Sequence, residues 1–268
     1  MTHEPEERRM EGQETNGDEF YVGYLPWPPG HIRFLRRIVP LLLLSGVVLG
    51  GLVIRNHNNP GVGRWDSDSV ETFEGVIDTV PYPMLRVAGP DPNHPVQTLL
   101  LVSEGKFGAQ ERVKAHLGKA VRVRGTIISR DGQRLLELAG GEDAVEPLEP
   151  TALPDGGLAR PPAVSIGQLT LRGEIIDPKC YLGAMKPGEG KPHKECATLC
   201  ISGGIPPMFI TRRPDGSVRY YLLADSAGHA AGDGILPFVA DPVEIDGIVE
   251  RLADLSIFKI DPKRIRRL

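Results

Sequence analysis

The only three cysteines in this 268-residue chain, Cys180, Cys196 and Cys200, fall in one stretch, CYLGAMKPGEGKPHKECATLCISGGIPPM, together with His193, Met185 and Met208. The spacing is Cys180-x12-His193-x2-Cys196-x3-Cys200. Three thiols and an imidazole form a tetrahedral set for zinc, and thiolate with thioether is the soft set that suits Cu(I). The same four residues are compatible with an iron–sulfur cluster. A blue-copper site calls for two histidines, so it would need a distant residue such as His229. A C-x-x-C-H haem attachment signature is absent.

If residues 192–202 are helical, His193, Cys196 and Cys200 stand at i, i+3 and i+7, within roughly 60° of arc at about 100° per residue. Pro192 suits the first turn, Gly203 and Gly204 suit a left-handed cap, and Pro206 with Pro207 stops the helix. On a continuous helix the Cα atoms of His193 and Cys200 lie about 10.5 Å apart. Cys180, Cys196 and Cys200 are therefore the easier trio, with His193 joining as a ligand only if the first turn unwinds.

Two other chemistries fit the same residues. In an oxidising compartment cysteines commonly pair, and the natural disulfide ties Cys180 to Cys196 or Cys200. The remaining thiol would have His193 and Lys194 nearby to lower its pKa, which is the arrangement of a thiol–disulfide oxidoreductase. A non-catalytic protein-binding scaffold with a structural disulfide is the other alternative. Asp177, three residues before Cys180, either orients a ligand or opens a turn with Pro178. His94 and His116 read as a loop and a solvent-facing histidine. No P-loop, G-x-S-x-G or H-E-x-x-H occurs, which argues against a nucleotide enzyme or a hydrolase.

The elements that must position this stretch are strands. Between residues 70 and 148 short β patterns (FEGVID, TLLLV, AVRVRGTII, QRLLEL) surround one helical candidate, AQERVKAHL. Residues 99–127 match residues 221–249 at a constant offset of 122: Leu100 on Leu222, Leu117 on Val239, Val121 on Val243, Gly125 on Gly247. From Gly75 to Val102 is 27 positions, and from Gly173 to Ala224 is 51, so the second copy carries 24 more. The cysteine stretch is thus an insertion at 178–207, after GEIID and before MFITRR, expected to project from one end of its barrel as functional loops do. The first copy has no cysteine and reads as a structural or docking module.

The order strand, strand, strand, short helix, strand, strand in each copy resembles the OB-fold, a small Greek-key barrel. The fold class expected is mainly β: two OB-like barrels in tandem, residues 70–148 and 168–268, after one N-terminal transmembrane helix. A Pro/Gly-rich linker at 149–167 divides them. In arrangement the chain looks like the anchored OB-fold haem chaperones of cytochrome c maturation, but their haem-binding histidine motif is not visible here. A fold-level resemblance implies no activity.

Residues 1–30 open with an acidic, disordered tail, and four aromatics (Phe20, Tyr21, Tyr24, Trp27) precede an apolar segment within 31–55. Residues 38–54 contain no charge and span about 25 Å as a helix. Arg33, Arg36 and Arg37 crowd one flank and Arg55 stands alone at the other, so the N-terminus is expected in the cytoplasm. No small-x-small cleavage site follows, which favours an uncleaved anchor over a removable signal. Residues 56–69 are a polar linker. The expected location is a bacterial inner membrane, single-pass, with the bulk of the chain periplasmic. A net charge of −4 argues against nucleic acid, and the expected partner is an inner-membrane protein complex. The reading of function is an accessory or redox subunit that holds copper or zinc through Cys180, His193, Cys196 and Cys200.

Overall fold

The computed structural model describes residues 29–56, 63–91, 94–149 and 158–268. The acidic tail, the four aromatics and most of both linkers lie outside them. The first unit holds helix α1 (Pro29–Asn56), with Pro40 in its interior. Its apolar side chains, Leu41 to Leu44 among them, face outward, and its 18-residue window of mean hydropathy 2.2 makes it long and apolar enough to cross a membrane.

The second unit contains two closed five-stranded barrels. A short strand β1 (Arg64–Trp65) precedes β2 (Glu71–Asp78), β3 (Met84–Asp91), β4 (His94–Val102), β5 (Ala120–Arg130) and β6 (Gln133–Leu138), and β7 (Val145–Pro147) follows. β2, β3, β4, β6 and β5 pair in that order and β5 returns to β2, so the sheet closes; β4 and β6 are its parallel pair. The second barrel runs β8 (Val164–Ile176), β9 (Met208–Arg212), β10 (Val218–Asp225), β11 (Pro242–Leu252) and β12 (Leu255–Arg267) in the same order, again with its third and fifth strands parallel. A short helix joins the third and fourth strands of each: α2 (Gln110–Val113) in the first and a 3₁₀ turn, Asp233–Phe238, in the second. This is the OB-like arrangement expected from the strand pattern.

Corresponding contacts recur at the sequence offset. Val102 bridges Gly108 as Ala224 bridges Ala230, and Leu101 N–H donates to Pro83 O (2.9 Å) as Leu223 N–H does to Pro207 O (3.0 Å), where the donors keep the offset and the acceptors lie two residues beyond it. The linkers are shorter than their composition suggests. β8 begins at Val164 because Val164 and Ser165 go on pairing with Arg251 and Glu250 of β11, and Arg64–Trp65 pairs with β5. Leu158, also within the Pro/Gly-rich stretch, is buried and its carbonyl accepts from Arg86 Nε (3.1 Å).

Each barrel has its own apolar interior: Ile77, Leu85, Leu99, Val121 and Leu136 in the first, Ile175, Phe209, Leu223, Val243 and Phe258 in the second. A third core joins them. Met84, Leu100, Val102 and Leu135 of the first barrel pack with Ile176, Met208, Ile210 and Leu222 of the second, and Cys180, Tyr181, Leu182, Cys200 and Ile205 of the insertion complete the cluster. The insertion, expected to project from one end of its barrel, is the wedge between the two barrels, because its apolar residues have a matching surface on each side.

Polar contacts fix that wedge. Arg130 at the end of β5 donates to Tyr181 O (2.8 Å) and lies over the Tyr181 ring, 4.1 Å from its centroid. Lys179 Nζ donates to the carbonyls of Ser103 (2.9 Å) and Gly105 (2.7 Å) and forms an ion pair with Glu137 at 2.8 Å, both side chains nearly sealed from water. Removing one partner of such a pair strands a buried charge. Lys179→Met is expected to lower the unfolding free energy by about 3–5 kcal/mol in urea titration of the full chain in detergent; a loss under about 1 kcal/mol would show that the wedge is held by its apolar contacts alone.

Candidate metal centre

Each cysteine is placed by a local device that the sequence dictates. Asp177 ends the run of β8; its Oδ1 accepts the Lys179 N–H (2.9 Å) and its carbonyl accepts the Tyr181 N–H (3.0 Å), turning the chain so that Cys180 opens a π-helical turn, Cys180–Ala184. A 3₁₀ turn, Lys191–His193, then leads into α3 (Lys194–Ser202), which carries Cys196 and Cys200 one turn apart. The helix therefore starts after His193 rather than at Pro192, since Pro192 and Gly190 favour the tighter entry turn and His193 N–H donates to Gly190 O (2.9 Å).

The C-terminus of α3 is a Schellman motif. Gly204 N–H donates to Ile201 O (2.9 Å) and Ile205 N–H to Cys200 O (3.1 Å), with Gly204 at φ +96°. The left-handed residue is Gly204; Gly203 has an ordinary φ of −78° and is needed for another reason. A Cβ on Gly203 would lie 1.9 Å from Lys106 O, so only glycine lets the helix end meet the loop after β4. The Gly108 N–H closes that meeting by donating to Gly203 O at 2.9 Å.

The three sulfur atoms converge, all within 4.8 Å of one another, and all three cysteines are free. Sulfurs bound tetrahedrally to one ion at about 2.3 Å lie about 3.8 Å apart, so a small inward movement of these side chains would reach that geometry. His193 does not join them. With Asp177 and Cys180 it forms a second set of donors, also within 4.8 Å of one another, and Cys180 belongs to both. Asp177 is 0% exposed and His193 3%, and Asp177 Oδ2 and His193 Nε2 are buried without a hydrogen-bond partner in the structure. Met208 packs in the same seam core as Cys180 and Cys200, Met185 is exposed, and His229 lies exposed beside Asp225 (Nδ1–Oδ2 3.8 Å) and joins neither set.

The electrostatics divide the thiols. The Cys180 S–H donates to Cys200, and this hydrogen bond, with burial and the Asp177 carboxylate behind it, holds the Cys180 thiol well above its ordinary range. The same bond lowers Cys200. Lys106, from the loop after β4 of the first barrel, donates to Cys196 Sγ at 2.8 Å and to Cys200 Sγ at 3.5 Å. Its bond to Cys196 keeps the ammonium above its usual value. Burial pushes His193 below the usual imidazole value, so it stays neutral and able to bind through a lone pair.

Lys106 is the residue that sequence reasoning missed. Its neighbours, Gly105 and Gly108, signal a turn and nothing more. No protein-family model matches this chain, and no curated protein matches it.

Cys180 and Cys200 are buried and Cys196 is half-buried beside the Lys106 ammonium. In the reduced, metal-free protein, iodoacetamide is expected to label Cys196 first, by at least tenfold over the other two, as read by peptide mass spectrometry. First labelling at Cys180 would contradict the geometry.

Proposed function

We propose that this protein is a membrane-anchored accessory or redox subunit that holds a thiophilic metal, copper or zinc, at the seam between its two barrels. The single observation that carries the reading is the convergence of Cys180, Cys196 and Cys200 beside two buried, unpaired donor atoms, Asp177 Oδ2 and His193 Nε2. A buried polar atom without a partner costs about 1–3 kcal/mol, and an ion bound by these two atoms would remove that cost. Three thiolates with an adjoining imidazole and carboxylate suit Zn²⁺, and the three thiolates alone suit Cu(I). Lys106 would offset part of the negative charge that such a ligand set accumulates.

The apolar helix α1 supports an anchor, and the arginines in its N-terminal turns, Arg33, Arg36 and Arg37, support export of the barrels to the periplasm of a bacterial cell. The expected partner is an inner-membrane protein complex. Phe107, next to Lys106, and Leu199, three residues from Cys196 on α3, are exposed apolar side chains near the most accessible thiol, as a docking site for such a partner would need.

One observation favours a second reading, thiol–disulfide exchange. Lys106 stands against the one half-exposed sulfur, an environment that favours thiolate attack. Cys196 would attack a partner's disulfide, forming a mixed disulfide and expelling one partner thiolate. Cys180, passing its proton to Cys200, would then attack Cys196 Sγ, giving a Cys180–Cys196 disulfide and releasing the fully reduced partner.

Metal analysis separates the two. The full chain, purified anaerobically in detergent, is expected to keep at least one equivalent of zinc or copper through gel filtration, and Cys200→Ser to keep less than a fifth of that. Under a tenth of an equivalent in the unmodified chain after loading would overturn the metal reading and leave the exchange reading standing.

A further inference from the structure

The donors fall into two sets that share only Cys180. The three thiols lie within 4.8 Å of one another, and so do Asp177, Cys180 and His193, but the five donors do not form one such group. An ion held by the three thiols alone leaves Asp177 Oδ2 and His193 Nε2 buried without that ion as a partner. The arrangement of the chain explains the split. Asp177 and Cys180 leave the end of β8 together, His193 comes from the turn before α3, and Cys196 and Cys200 come from the helix itself.

We infer that the seam holds two metal ions bridged by the Cys180 thiolate: one bound by Cys180, Cys196 and Cys200, the other, a divalent ion of the zinc class, bound by Asp177, Cys180 and His193. This rests on the metal-binding reading above and extends it from one ion to two. The ligand chemistry differs between the positions. Three thiolates accept Zn²⁺ or Cu(I), whereas a set of one carboxylate, one thiolate and one imidazole excludes a soft monovalent ion in favour of Zn²⁺. Three thiolates and one carboxylate carry four negative charges; two divalent ions would bring four positive charges beside the Lys106 ammonium, and the imidazole is neutral. The Asp177 Oδ1 atom is already committed to the Lys179 N–H, which orients the carboxylate and leaves Oδ2 for the metal.

The test is zinc stoichiometry on the full chain in detergent, stripped by chelator, reduced, titrated with Zn²⁺ alone and freed of loose ion by gel filtration. Two equivalents are expected. The paired substitution Asp177→Asn and His193→Gln keeps the turn-forming carbonyl and a similar volume, and it is expected to retain one equivalent that still protects Cys196 from alkylation. Cys196→Ser is expected to weaken the thiol site at least tenfold while one equivalent remains on the other set. One equivalent in the unmodified chain, or a count unchanged by the paired substitution, would overturn the two-ion inference but leave the metal reading intact. No retained zinc in the unmodified chain would overturn two-zinc occupancy outright, and the metal reading with it if copper is not retained either.

Discussion

The ammonium of Lys106 reaches across a seam between two barrels to the sulfurs of Cys196 and Cys200. Three thiols and a carboxylate gathered out of water would repel one another if ionised, and burial alone drives such groups to their neutral forms. The structure meets this with one cation at the rim and with the Cys180 proton shared toward Cys200. Everything that places Lys106 is thus part of the site. Lys179 grips the carbonyls of Ser103 and Gly105 in the same loop, and Gly203 with Gly108 lets α3 touch it.

The seam gives the tandem arrangement a purpose that either barrel alone would lack. The second barrel carries all three cysteine sulfurs, yet the first supplies the cation, the Glu137 that pairs Lys179, and the Arg130 that fastens Tyr181. Separating the barrels would strip the thiols of their counter-charge and open a shared apolar core, so site integrity and barrel–barrel packing are one property.

Much of this was legible in the sequence. Period-two strands and the offset of 122 residues led to two like barrels, and the strand orders agree; the same arithmetic read residues 178–207 as an insertion in the second. Helix geometry separated His193 from Cys200, and His193 does stand apart from the thiol trio. What could not be read was long-range. Lys106 lies 90 residues from Cys196, in a turn whose composition reports only its own bend. The burial of the insertion depends on Met84, Leu100 and Leu135, which strand periodicity assigns to a barrel without saying which partner covers them. Asp177 looked like a turn former and is one, through Oδ1; its second role rests on the other oxygen, which only three-dimensional neighbours reveal.

The central claim is that the three cysteine sulfurs are a metal's ligands. X-ray absorption at the edge of the metal bound by the full chain measures this directly. A first shell dominated by sulfur at about 2.3 Å is the predicted result for zinc. A shell of oxygen and nitrogen alone would contradict the account and move the metal elsewhere on the protein.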